Sequence, residues 1–127
     1  MHDNVPCEFA VIRLVPKVER EEFLNVGVLL YARQRKFLGM RYVLNEARIK
    51  AFAPDLDLAE IEAYLKAWEA MIQGSPQGGK IGELDLANRF RWLSASRSTL
   101  LQCSPTHPGL CGDAEALLED FFQRFVL

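Results

Sequence analysis

The sequence predicts a small α+β domain, with a mainly antiparallel sheet packed against two main helices, and three observations carry that reading. Segments 8–15, 25–32 and 37–44 are rich in apolar and β-branched residues and short enough for strands. From Asp57 onward, apolar residues recur at steps of three and four, the period of an amphipathic helix. After Asp113 a broad apolar face carries Phe121, Phe122 and Phe125, which has to dock because exposing it is costly. The 127 residues, 50% hydrophobic, match one domain (1–127, core about 8–125) and exclude a disordered tail.

Taken in order, Cys7–Val15 places Phe9, Val11, Arg13 and Val15 on one strand face and Ala10, Ile12 and Leu14 on the other. A strand apolar on both sides is covered on both sides, which makes Arg13 the exception. Pro16 closes it, since proline donates nothing to a ladder. Lys17–Leu24 reads as a charged connection with about one helical turn. In the second strand, Asn25–Ala32, Gly27 signals a bulge or a close backbone approach. Arg33–Lys36 has the length of a hairpin loop, its charges solvating the tip, and Phe37–Leu44 is the returning strand. A short helix is expected from Asn45 or Glu46, ending near Pro54.

Asp57 with Glu60 has the spacing of a capping box, and Leu58, Ile61, Leu65, Trp68 and Ile72 form the stripe of a helix over 57–73, with Tyr64 and Met71 widening it. Gly74 stops it. Residues 74–82 hold four glycines and one proline and read as a mobile loop without regular structure. Glu83–Leu93 is expected to be helical, Thr99–Cys103 a short strand, Ser104–Gly109 a turn, and Asp113 the cap of a last helix over 113–125.

Few constellations carry chemistry. Cys103, His107 and Cys111 lie four residues apart, but zinc sites favour tighter cysteine pairs, and the reading prefers small buried side chains to a metal site. Gly-Gly-Lys80 is followed by Ile81 where a phosphate loop needs Ser or Thr. No cofactor or metal is therefore expected, and no complete catalytic set is recognised. The binding candidates are Arg13, Glu22, Asn25 and Arg97. A guanidinium in an apolar strand needs a partner. Either Glu22 reaches back to Arg13 in a buried pair that fixes the connection on the sheet, or Arg13 and Arg97 line a cleft for an anionic or peptide group.

Residues 1–50 hold nine Lys+Arg against six Asp+Glu, whereas 101–127 hold one against four. This is too dilute for a nucleic-acid footprint, and nucleic acid is not the expected partner. No apolar run is long enough to span a bilayer, the start has no signal-peptide pattern, and a cytoplasmic location is expected.

Ile12-Arg-Leu-Val-Pro16, followed by Arg20-Glu-Glu-Phe-Leu-Asn-Val-Gly-Val28, resembles the opening signature of a bacterial family, domain-of-unknown-function family 3037. Its members read Ile-Arg-Tyr-Val-Pro, then Arg-Gly-Glu-Phe, then Asn-Val-Gly-Val. Leu14 stands in place of the aromatic residue and Glu21 in place of the glycine. Arg97-Ser98, Leu101-Gln102 and Ser104-Pro105 are similar to the family's C-terminal segment, so the resemblance spans residues 8–125. It implies an accessory role, because genes of the family often neighbour those of HipA-like kinases. The expected function is thus a non-catalytic protein-binding or regulatory module that partners a kinase-like protein. The alternative is a nucleic-acid- or nucleotide-associated enzyme, with Arg13, Arg41 and Arg97 on phosphate and Glu22 as acid or base. A third reading is a homodimer built on the Phe-rich last helix.

Overall fold

A computed structural model describes residues 3–95 and 100–127. Five antiparallel strands, β1 (Val5–Leu14), β2 (Leu24–Ala32), β3 (Phe37–Tyr42), β4 (Leu101–Cys103) and β5 (His107–Cys111), form one sheet. Its order is β3-β2-β1-β4, and β5 also pairs with β1. The helices are α1 (Glu46–Phe52), α2 (Leu58–Gln73), a single turn α3 (Gly79–Gly82), α4 (Leu86–Ser94) and α5 (Ala114–Phe125). The chain is α+β, as its sequence predicts.

β1 carries the architecture because both of its faces are spent on helices. Val5 and Cys7, with Val28, Leu30 and Ala32 of β2, pack under Leu118, Phe121 and Phe122 of α5. On the other face Ile12, Leu14 and Leu29 meet Ile61, Leu65 and Trp68 of α2, Phe90 and Leu93 of α4, and Ile49 of α1. Fully burying side chains of this size stabilises by about 1.5–3 kcal/mol each. The phenylalanines of α5 are used here: Phe121 and Phe122 are buried against this chain's own sheet and are not a free face for a second copy.

Helix starts follow the polar residues that precede them. Asn45 accepts from the Arg48 N–H, Asp57 from those of Ala59 and Glu60, Asp85 from that of Asn88 and Asp113 from that of Ala116. Gly74 ends α2 at φ 67°.

Several expectations change, besides shifts of one or two residues at the ends of β2 and β3. β1 starts at Val5 rather than residue 8, because Val5 and Cys7 pair with Cys111 and Gly109 of β5. Residues 107–109 of the expected turn belong to that fifth strand, which resumes pairing along β1 after a break. Ser104 fills the break: its N–H donates to the Val11 carbonyl at 2.8 Å, and its hydroxyl accepts from the Val11 N–H at 2.9 Å. The glycine-rich stretch contains a 3-10 turn at Pro76–Gly78 and then α3. Gly78 is buried against α2, where an added Cβ would meet the Ala70 carbonyl oxygen at 2.7 Å. Finally, α4 begins at Leu86 rather than Glu83, because Asp85 caps it.

Candidate functional site

The site starts from a misalignment in the sheet. Ile12 pairs with Gly27, but Arg13 pairs with Asn25, so Val26 is an extra residue in β2. The bulge reverses the alternation of side chains. Val28 belongs to the α5 face, whereas Val26 and Leu24 belong to the α2 face. Asn25 thereby joins the α5 side, where its Nδ2 donates to the Phe125 carbonyl at 3.1 Å. Gly27 is required at this point, since a Cβ would lie 2.7 Å from the Arg41 carbonyl oxygen and 3.0 Å from Tyr42 Cβ.

Arg13 therefore stands beside Asn25 at the C-terminal end of α5. Its guanidinium lies over the Phe23 ring, 4.0 Å from the centroid. Its Nε and the Asn25 Oδ1 are buried and have no hydrogen-bond partner. No carboxylate among the described residues pairs with Arg13. Phe23 itself is 45% exposed, so an exposed apolar ring borders a half-buried cation. The last carbonyls of α5 carry the negative end of the helix dipole, which favours a cation here. Arg48 serves the same helix end, donating to the Val126 carbonyl at 3.2 Å.

The expected pair between Glu22 and Arg13 does not form. Glu22 pairs with Arg20 at the exposed surface, and that hydrogen bond holds its carboxyl below the usual carboxylate range. The reason is local: the chain turns at Glu21, whose φ is 56°, which lets Arg20 and Glu22 meet across the turn. The tight turn that the glycine of the family signature implies is present with glutamate in its place.

Lys17, Arg20 and Glu22 also line a shallow cavity of about 400 Å³ against Phe52–Leu56. Arg41, two strands from Arg13, bonds Glu119 at 3.1 Å and lies over Phe122. Arg97 lies outside the described residues. Of the candidates among the described residues, then, only Arg13 and Asn25 are brought together. Phe23 and Arg48 were not singled out from sequence; Phe23 was legible as an apolar residue in a charged connection, whereas Arg48 had no signal.

The pattern of the family described as protein of unknown function, DUF3037, matches residues 9–126. The chain belongs to the DUF3037 family. No curated protein and no solved structure matches it.

Other chemistry in this DUF3037 protein is dispersed. Cys103, His107 and Cys111 pair with Ile12, Phe9 and Val5 along β1, a span of about 23 Å at the usual strand rise. His107 packs on the Phe9 ring at 5.4 Å. Burial raises the thiols of Cys7 and Cys111 above the ordinary cysteine range. Arg35, in the expected solvated hairpin tip, instead donates to the Gly112 carbonyl at 3.0 Å. No described helix is long and apolar enough to cross a membrane.

Proposed function

We propose that this protein is a non-catalytic accessory module of the bacterial cytoplasm that binds and regulates a partner protein, with a HipA-like kinase the first partner to test. One observation carries the reading: a half-buried guanidinium with no carboxylate partner, stacked under an exposed phenylalanine at a helix end. Arg and aromatic side chains in such an arrangement are the residue types that dominate binding energy at protein interfaces. A partner's carboxylate or main-chain carbonyl would accept from Arg13, and its apolar groups would cover Phe23.

The test is co-expression with the kinase-like protein, followed by native mass spectrometry and titration calorimetry. Replacing Arg13 or Phe23 by alanine is expected to weaken the complex by about 30-fold, the size of an interface hot spot. Glu22→Gln, which alters only a surface pair, is expected to leave it unchanged. A stoichiometric complex of undiminished affinity in both alanine variants would overturn the assignment.

The alternative is a nucleic-acid- or nucleotide-associated enzyme, with Arg13, Arg41 and Arg97 contacting phosphate and Glu22 as acid or base. Arg41 is held by Glu119 and Glu22 by Arg20, so the geometry lends that reading no support.

A further inference from the structure

We infer that the open edge of β3 takes an extended, basic segment of a partner protein as a sixth strand; this deepens the protein-binding reading and rests on it. β3 is the end strand of the sheet. In an antiparallel ladder, residues alternately turn their N–H and C=O groups toward the neighbour and away from it. The Val43 N–H donates to the Val26 carbonyl at 2.9 Å, and in the same register Arg41, Gly39 and Phe37 face β2. Leu38, Met40 and Tyr42 therefore direct their backbone groups outward. Among the described residues, no hydrogen bond from another element reaches those groups.

Edges are usually blunted by proline, by inward charges or by a bulge. Phe37–Tyr42 contains no proline, its register with β2 is unbroken, and its single charge, Arg41, is turned aside onto Glu119 and Phe122 of α5. The edge instead lies in a groove of about 210 Å³ between two helices. α2 contributes Glu69, Ile72 and Gln73 to its walls, and α5 contributes Glu115 and Leu118.

Those walls specify the occupant. Glu69 and Glu115 have no ion-pair partner among the described residues. Glu69 lies close enough to Tyr42 for its charge to help raise that phenol, after burial. An added strand sends alternate side chains to opposite faces, one set toward α2 and the other toward α5. Lysine or arginine on both faces, interspersed with apolar residues for Ile72 and Leu118, matches both walls. A second copy of this chain fits less well, since pairing edge to edge would bring a second Glu69 and Glu115 against the first.

The experiment titrates the isotope-labelled full-length protein with the blocked peptide Val-Lys-Lys-Val-Thr-Lys-Lys-Val, followed by amide chemical shifts. Saturable shifts centred on Leu38, Met40 and Tyr42 are expected. Charge reversal of both walls, Glu69→Lys with Glu115→Lys, is expected to weaken binding about ten-fold. A peptide N-methylated at alternate backbone nitrogens is expected to lose binding. Met40→Pro removes an outward N–H without removing a bond to β2; if that variant does not fold, the charge-reversed protein and the methylated peptide still decide.

No shift at β3 with millimolar peptide overturns the proposal, as does equal affinity for the peptide with glutamate in place of lysine. β3 shifts that follow protein concentration alone, with a sedimenting dimer, would make the occupant a second copy and overturn it too. Failure here, beside a kinase complex that depends on Arg13, would remove this edge and leave the module reading standing.

Discussion

Replacing Gly27 by alanine tests the packing that builds the candidate site. The added methyl would sit 2.7 Å from the Arg41 carbonyl oxygen, 3.0 Å from Tyr42 Cβ and 3.2 Å from Ile12 Cδ1. Two of these atoms can retreat only if β3 moves, because one is backbone and the other is a Cβ fixed to it. Overpacking of this kind costs about 1–3 kcal/mol, and the backbone contact places Gly27→Ala at the upper end. The lower chain entropy of alanine returns about 0.5–1 kcal/mol. The net expectation is a loss of about 2 kcal/mol, read as a lower midpoint in urea at unchanged slope. In a thermal scan the same loss lowers Tm by roughly 8 °C for a domain of this size. Stability within about 0.5 kcal/mol of the parent, the range of an ordinary surface change, would refute the claim that this close approach requires glycine.

The other turns and titrating groups give shorter tests. Glu21 occupies the left-handed region at φ 56°, so Glu21→Gly is expected to stabilise by about 0.5–1 kcal/mol in urea unfolding, and destabilisation would contradict the turn geometry. Burial, then the nearby Glu69 carboxylate, push the Tyr42 phenol from 10.0 up to about 12. Since folding favours its neutral form, its contribution to stability is complete below pH 10 and is lost between pH 10 and about 12. Ultraviolet titration should show one tyrosine ionising late, and Glu69→Gln should bring it part of the way down; no movement would remove Glu69 as a cause. Cys7 and Cys111 are buried and raised, so both should resist iodoacetamide in native buffer at pH 8 and react in urea, as read by peptide mass mapping. Ready alkylation of Cys7 in the folded protein would contradict its burial.

What the sequence disclosed depended on whether a feature was periodic or relational. α2 was legible because Leu58, Ile61, Leu65 and Trp68 repeat on one side and Asp57 precedes them, two local facts that agree. α5 was legible for the same reasons. β5 was hidden because His107-Pro-Gly-Leu-Cys111 has turn-forming residues and no alternation; it is a strand only because β1 offers it a free edge. Whether Glu22 meets Arg13 stayed open for a related reason. Glu22 is near it in sequence, but which side chains meet is decided by the Glu21 turn and the extra residue Val26. A bulge can be suspected from Gly27, yet its effect on Asn25 appears only when the register with β1 is known.

That register also separates two roles that share one motif. Asn25 holds the α5 end through a hydrogen bond to the Phe125 carbonyl, so Asn25→Ala leaves that carbonyl without its side-chain donor and is expected to cost about 1 kcal/mol of stability. Arg13 holds nothing by hydrogen bond among the described residues; its visible attachment is the Phe23 ring. Removing it gives up a cation–π contact worth about 0.5–1 kcal/mol while relieving a partly desolvated charge, so Arg13→Ala should be close to neutral in urea unfolding. The two variants are therefore expected to diverge, with Asn25→Ala losing stability and Arg13→Ala losing the partner. If Arg13→Ala proves as destabilising as Asn25→Ala, the guanidinium is a structural strut of the bulge and the binding role falls. If it is neutral, the guanidinium is no strut of the bulge, and its role is decided by whether Arg13→Ala weakens the complex with a partner.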